Sequence, residues 1–259
     1  MKQILIIPER NNLQEDIKLA KQFSLGYEYN DFFHPSVLDD AVKQQEILDV
    51  YGNAYQPEVC TLHGAFFDVI PFSVDEKIKE ISLLRIKQSI DTARKTGACA
   101  VIFHTNYNPF LNSSEYVKSW LAQNEKIWAD ILEKNTDIHI YLENMFDTTP
   151  DVMEELSAGL CRYENYGVCL DYAHAALSKV APQGWAKRLG KYIKHVHIND
   201  NDLVSDLHLA WGDGKIDRRA FYESYEMYMK GASVLVETSS VENKRRSLET
   251  LEKEGFLSL

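Results

Sequence analysis

The sequence has few cysteines and no long apolar run. Its four cysteines stand singly at positions 60, 99, 161 and 169, without CxxC spacing. Isolated thiols in apolar surroundings are typical of reduced, buried side chains rather than of disulfides or a zinc motif. No run approaches the roughly 18 apolar residues of a membrane span, and the apolar run at positions 4–7 is too short for a secretory signal core. We therefore expect a cytoplasmic protein without membrane contact.

The sequence also has fewer basic than acidic side chains. Lys and Arg together number 28 against 39 Asp and Glu, which gives a formal charge of −11. A protein that binds nucleic acid non-specifically needs an excess of cations facing the phosphates. The net charge therefore argues against a nucleic-acid partner and favours a small molecule. It does not exclude a local basic cleft. The sequence gives no indication of the oligomeric state.

No Pro/Gly/Ser-rich linker or low-complexity tract divides the chain, so we predict a single domain over residues 1–259. The length is 259 residues, of which 45% are hydrophobic. A chain of this size can bury roughly three-quarters of its unfolded surface. A (β/α)₈ barrel typically needs about 250 residues, which makes that fold an early candidate.

Short apolar or alternating runs take turns with longer segments of helical period. The predicted strands are Gln3–Pro8, Leu25–Asn30, Glu58–Leu62, Ala98–His104, Asp137–Glu143, Gly167–Asp171, Tyr192–Ile198 and Ser233–Glu237. The predicted helices are Leu13–Phe23, Ser36–Val50, Val74–Thr96, Ser114–Lys134, Pro150–Arg162, Gly184–Leu189, Arg218–Lys230 and Val241–Glu254. Eight strands, each followed by a helix, predict an α/β protein with one parallel (β/α)₈ TIM barrel.

Side chains that can bind a metal ion lie at the ends of six consecutive predicted strands. They are His63, His104, Glu143, Asp171 with His174, His197, Asp206 with His208 in the next loop, and Glu237. Barrel chemistry sits where strands end, and imidazoles and carboxylates are ligands of divalent cations. Any one of them alone is as well explained by a rim histidine or a salt bridge. The joint pattern predicts a metal site, because cations offset the repulsion of converging carboxylates.

The strand-end segments carry a family resemblance over nearly the whole chain. The segments "LHGAFFD", "IYLEN", "LDYAHA", "HVHIND", "HLAWGDGKID" and "LVETS" stand in this order. The sequence resembles the xylose isomerase-like TIM barrels, the superfamily that includes AP endonuclease family 2. The resemblance implies a metal-dependent enzyme whose site lies at the strand ends.

Sugar isomerases and epimerases of that superfamily hold one Mn²⁺, Co²⁺ or Mg²⁺ with a quartet that corresponds here to Glu143, Asp171, His197 and Glu237. The resemblance implies that Glu143 and Glu237 move the proton next to a carbonyl of a sugar or sugar phosphate. Further substrate contacts are expected from His174, Phe66, Phe67, Trp211 and Glu28. The aromatics are equally explained by loop packing, and Glu28 by a rim salt bridge.

Endonuclease IV, by contrast, holds three Zn²⁺ with nine ligands, and all nine corresponding positions are filled here. They are His63, His104, Glu143, Asp171, His174, His197, Asp206, His208 and Glu237. This completeness implies, as an alternative, a phosphodiester hydrolase with two or three Zn²⁺ acting on a small nucleotide-like substrate or on abasic DNA. His174 and His208 instead serve as substrate contacts if the protein is an isomerase. The acidic charge, the compact length and the pocket-like "HGAFFD" segment favour the isomerase, and a non-catalytic solute-binding barrel is a third interpretation.

Two smaller expectations concern residues near the predicted site. Asn144, directly after Glu143, is expected to orient the ligands, or else to cap a turn. Lys244, Arg245 and Arg246 are expected to lie on a solvated helix face.

Overall fold

A computed structural model describes residues 2–66 and 68–257. The strands are β1 (Ile4–Ile6), β2 (Gly26–Tyr29), β3 (Cys60–His63), β4 (Ala100–His104), β5 (His139–Glu143), β6 (Tyr166–Asp171), β7 (Ile193–Ile198) and β8 (Ser233–Val236). They pair in parallel in the order of the chain and form a closed barrel. The closing pair joins β1 to β8, where Ile4 lies opposite Val234. The predicted (β/α)₈ fold is confirmed.

The helices lie between the strands in sequence. They are α1 (Leu13–Phe23), α2 (Pro35–Leu38), α3 (Ala41–Gly52), α4 (Glu76–Thr96), α5 (Ser114–Lys134), α6 (Asp151–Leu160), α7 (Tyr172–Ala176), α8 (Pro182–Leu189), α9 (Arg218–Ser224) and α10 (Val241–Lys253). None of them, within the described part of the chain, has the length and hydrophobicity that crossing a bilayer demands.

Three helical segments differ from the prediction. The helix expected over Ser36–Val50 is divided because the Asp40 side chain accepts hydrogen bonds from the backbone N–H groups of Val42 and Lys43 and so begins α3. An additional short helix, α7, follows β6 directly. The helix expected over Arg218–Lys230 ends at Ser224 and continues as a single π-helical turn over Tyr225–Met229.

The predicted solvated face of α10 is wrong at one residue. Lys244 is fully buried, and its Nζ donates hydrogen bonds to the Ile7 carbonyl at 2.7 Å and to Asp16 Oδ1 at 2.8 Å. The ion pair fixes α10 to α1, behind the end of β1. Arg245 is partly exposed, and the half-exposed side chain of Arg246 forms an ion pair with Asp213.

The prediction for the cysteines is right in part. All four thiols are free, and Cys60 and Cys169 are buried, whereas Cys99 and Cys161 are exposed. Cys99 lies just before β4 and Cys161 just after α6, where the chain reaches the surface. An apolar sequence neighbourhood does not distinguish these ends from the strand interiors.

Candidate metal centre

The closed barrel brings the predicted strand-end residues to one mouth. His63, His104, Glu143 and Asp171 are the last residues of their strands, His197 is the last but one of β7, and Glu237 directly follows β8. Because the strands are parallel, their carboxyl ends meet at the same end of the barrel. Seven of the nine predicted ligands line a cavity of about 490 Å³, and Asp171 and His197 lie fully buried beneath it.

Each residue of the predicted quartet has a buried side-chain atom without a hydrogen-bond partner among the described residues. These atoms include Glu143 Oε2, Asp171 Oδ2, His197 Nδ1 and Glu237 Oε2. A buried polar atom without a partner is costly, and each of these atoms is a metal-ligand type. Both Glu143 Oε2 and Glu237 Oε2 lie 3.5 Å from His197 Nδ1. The donor set therefore fits a divalent cation bound by this quartet.

Glu143 is the residue that connects two groups of donors. Its Oε2 lies 3.6 Å from His63 Nε2 and 3.4 Å from His104 Nε2. His63, His104 and Glu143 form one group whose donor atoms lie within 4.8 Å of one another, and Glu143, Asp171 and His197 form another. One carboxylate therefore belongs to two groups of potential metal ligands.

A third group combines His174 of α7 with Asp206 and His208 of the loop after β7. His174 Nε2 is 3.4 Å and His208 Nε2 is 3.0 Å from Asp206 Oδ2. The buried Asp200 carboxylate accepts hydrogen bonds from the backbone N–H groups of Gly212 and Ile216, and so anchors the loop that carries Asp206 and His208. His208 has a φ of +48°, a conformation that is uncommon outside glycine and clusters at functional sites.

Backbone carbonyls fix the orientation of three histidine rings. His63 Nδ1 lies 3.0 Å from the Gly64 oxygen, His174 Nδ1 2.9 Å from the Asn144 oxygen, and His208 Nδ1 3.1 Å from the Glu237 oxygen. A carbonyl only accepts, so each Nδ1 must carry the hydrogen. The Nε2 of each ring then faces the cavity and is available to a cation when it carries no proton, which is the arrangement of metal-ligating histidines.

Asn144 joins the ends of β5 and β6. Its Nδ2 donates to the Asp171 carbonyl, and its Oδ1 accepts from the Asp171 N–H, both at 2.9 Å. Asp171 in turn accepts from the His174 N–H through Oδ1, at 2.6 Å. Asp171 Oδ2 is thereby left to face the site, and Asn144 holds the backbone of this predicted ligand.

Burial and mutual charge shift the pKa values at the mouth in opposite directions. Burial raises the pKa of Asp171 to about 7, with the charge of His174 opposing the shift and that of Glu237 adding to it. Burial also disfavours the ionised form of Glu143, but His197 and His104 outweigh it and hold the pKa of Glu143 well below its usual range. Although burial opposes it, the hydrogen bond to Asp206 raises the pKa of His208 to about 9. Charges at this mouth therefore depend strongly on one another.

Glu28, which was predicted to contact substrate, does not line the cavity. Glu28 is fully buried in the barrel beneath the site, where its Oε2 lies 3.1 Å from His195 Nε2 and its Oε1 lies 3.2 Å from His197 Nε2. The Thr61 hydroxyl donates to the same carboxylate at 2.6 Å. Sequence analysis did not single out His195, although the alternation in "HVHIND" places it on the same strand face as His197.

Glu28→Gln is expected to weaken metal binding about 10–100-fold, the usual effect of losing a partner of a ligating histidine. The negative charge beside His197 Nε2 holds the ring so that Nδ1 faces Glu143 and Glu237. Competition with a chromophoric chelator measures the change in affinity. Glu46→Gln, on the exposed face of α3, is the matched control. An unchanged affinity in a folded Glu28→Gln protein would show that the carboxylate does not position the ligand.

The predicted aromatic contacts separate into three cases. Phe66 lines the mouth, with its ring centroid 5.0 Å from those of His63 and His104. Trp211 does not reach the mouth: it is 1% exposed, packs edge-on against Phe221 of α9, and donates from Nε1 to the Tyr222 hydroxyl. The turn at Gly212 folds back onto α9 and α10 and so holds the predicted substrate contact Trp211 away from the cavity. Phe67 lies outside the described residues.

Comparison with known proteins places this geometry in a family. The model of the xylose isomerase-like TIM barrels matches residues 18–254. An uncharacterised protein of Methanocaldococcus jannaschii is 28% identical over 210 residues, which cover 77% of this chain and 70% of the relative. A fructoselysine 3-epimerase of Shigella flexneri is 28% identical over 156 residues, 56% of this chain and 54% of the epimerase. The chain thus matches about half the length of that epimerase.

Among solved structures, a protein from Thermus thermophilus in crystals soaked with zinc chloride superposes with a TM-score of 0.77. The superposition covers 98% of this chain and 97% of the other, at 20% sequence identity. Similarity at this level of identity concerns the fold, and the two barrels agree over their whole length.

Proposed function

The chain belongs to the xylose isomerase-like TIM-barrel family, and we propose that it is a divalent-metal-dependent isomerase or epimerase of a sugar or sugar phosphate. One observation carries the proposal. Of the four quartet residues, Glu143 and Glu237 line the cavity, whereas Asp171 and His197 lie buried beneath it. The two carboxylates that can reach a substrate are therefore the pair that proton transfer requires. The relative named fructoselysine 3-epimerase supports a sugar as the substrate.

Glu143, Asp171, His197 and Glu237 would hold the cation, which supplies Lewis acidity that makes the C–H next to a carbonyl easier to deprotonate. One glutamate removes that proton, and the other returns a proton to the same or the neighbouring carbon. Phe66 covers one side of the mouth and reduces the access of water. His174, which faces the cavity through Nε2, orients a substrate oxygen.

A multinuclear zinc phosphodiester hydrolase is the second candidate, and the nine-residue donor set favours it. Two groups of donors include Glu143, and a third group lies beside it. Together they offer more ligands than one cation needs. In this case Glu143 would hold zinc together with further ligands, which would be His63, His104, His174, Asp206 and His208. The net charge of −11 suits a small nucleotide-like phosphodiester better than long DNA.

Metal content of protein purified without chelator separates the two functions. We expect about one manganese, cobalt or magnesium ion per chain for the isomerase, and two or three zinc ions for the hydrolase. Elemental analysis gives the stoichiometry, and deuterium uptake from solvent into candidate ketoses, set against cleavage of an aryl phosphodiester, gives the reaction. Two or three zinc ions per chain, together with cleavage of the phosphodiester, would overturn the isomerase proposal and support the hydrolase.

A further inference from the structure

A second cavity opens beside the metal mouth, and we propose that it binds an apolar, ring-bearing substituent of the sugar. The substrate would then be a sugar conjugate rather than a free monosaccharide. This inference rests on the proposed isomerase function. The second cavity, here called the side cavity, lies among the loops after β3, β4, β5 and β6.

The side cavity is continuous with the metal mouth. Both are lined by Phe66, Met145, His174 and Asp206, and two of these are predicted metal ligands. The side cavity measures about 910 Å³ against about 490 Å³ for the mouth. Small-molecule sites span roughly 300–1,000 Å³, so the mouth alone has room for a small ligand. The larger space beside it is available to a further part of the same molecule.

The chemistry of the wall indicates an apolar occupant. Phe110 is 90% exposed and Phe146 is 57% exposed, and both rings line the side cavity together with Ile70 and Leu177. Single exposed apolar residues are ordinary on protein surfaces, whereas two exposed phenyl rings on the wall of one cavity indicate a binding site for an apolar group. Covering them with an apolar ring removes their surface from water, and the rings offer stacking contacts as well.

The wall charges disfavour a strongly anionic occupant. Asp68, Asp147 and Asp206 line the side cavity, against Lys179 and the histidine at the shared rim. A polyphosphate or a nucleic-acid strand in this space would face an excess of carboxylates. A neutral aryl or alkyl group meets no such repulsion.

Hydrogen bonds between loops hold the side cavity open. Asn106 Nδ2 donates to the Val69 oxygen at 2.9 Å, which ties the loop after β4 to the loop after β3. Buried Asp147 accepts from the Thr105 hydroxyl at 2.9 Å and so ties the loop after β5 to the end of β4. A preformed cavity avoids part of the ordering cost of binding.

Benzyl and methyl ethers of ketohexoses test the proposal, because they differ only in the ring. With the metal-loaded protein and the 1-O-ethers of D-fructose, D-psicose and D-tagatose, we expect kcat/KM to be about tenfold higher for the benzyl ether, as a buried ring would give. The double substitution Phe110→Ala/Phe146→Ala is expected to reduce this ratio to about one. Met227→Ala, which removes an exposed side chain outside both cavities, is the matched control and keeps the ratio.

Saturation-transfer NMR on the same proteins measures binding of the ethers independently of turnover. It therefore tests the side cavity separately from the isomerase function. If ketoses are turned over without any advantage for the benzyl ether, the subsite is wrong and the isomerase function stands. If no ketose reacts but the benzyl ether binds in a way that the double substitution abolishes, the subsite stands and the isomerase function is wrong. Benzyl binding that is indifferent to Phe110 and Phe146, or no binding at all, overturns the subsite.

Discussion

Glu143→Gln and Glu237→Gln are each expected to lower the rate of ketose isomerisation by about 10²–10⁴-fold, the usual contribution of a positioned acid or base. The substitution keeps the size of the side chain and removes its capacity to exchange a proton. Both carboxylates face the cavity and lie 3.5 Å from the same nitrogen of His197. Glu143 ends β5 and Glu237 follows β8, so the two carboxylates reach the cavity from different strands and neither takes the other's place.

The two variants are expected to differ in metal content. Glu143 belongs to two of the donor groups, so its amide variant should lose more bound metal than Glu237→Gln. Rates of solvent deuterium exchange into the ketose and elemental analysis of each variant provide the two readouts. Glu242→Gln, on the exposed first turn of α10, is the control that should change neither. Activity that survives the combined Glu143→Gln/Glu237→Gln substitution would contradict the isomerase and the hydrolase alike.

Lys244→Met is expected to destabilise the fold by about 3–5 kcal/mol, the cost of leaving a buried charge without its partner. The Lys244 ammonium is held between Asp16 and the Ile7 carbonyl, in a position with no access to water. Methionine fills similar space but leaves the Asp16 carboxylate without its partner cation. Urea denaturation followed by circular dichroism at neutral pH measures the loss.

A second substitution tests that cause directly. Lys244→Met/Asp16→Asn removes the unpaired charge and retains an acceptor for the Glu9 N–H, which lies 2.8 Å from Asp16 Oδ2. Much of the lost stability should return. Lys253→Met, at an exposed position of the same helix, should lie close to the unchanged protein. A single variant Lys244→Met as stable as that control would show that the ion pair contributes little.

The strand-end donors were predictable because strand and barrel geometry are local and repetitive. A short apolar or alternating run that ends in His104 or Glu143 indicates both the strand and the end at which its last side chain lies. Asp206 and His208 were also expected to lie together, and their side chains meet at 3.0 Å although the left-handed backbone of His208 is not extended. Sequence analysis missed the π-helical turn after Ser224 and the break between α2 and α3 at Asp40. Helical periodicity alone does not show where the backbone hydrogen-bonding pattern changes.

Taken alone, the sequence determined the alternation of strands and helices, the barrel that this alternation closes, and the set of imidazoles and carboxylates at its mouth. Only the tertiary structure decided that Glu28 lies beneath the site, that Trp211 packs against α9, and that Lys244 pairs with a carboxylate 228 residues away. The physical reason is the range of the interactions. Periodicity and strand ends follow from neighbours in the chain, whereas burial, ion pairing and cavities arise between segments that only the closed barrel brings together.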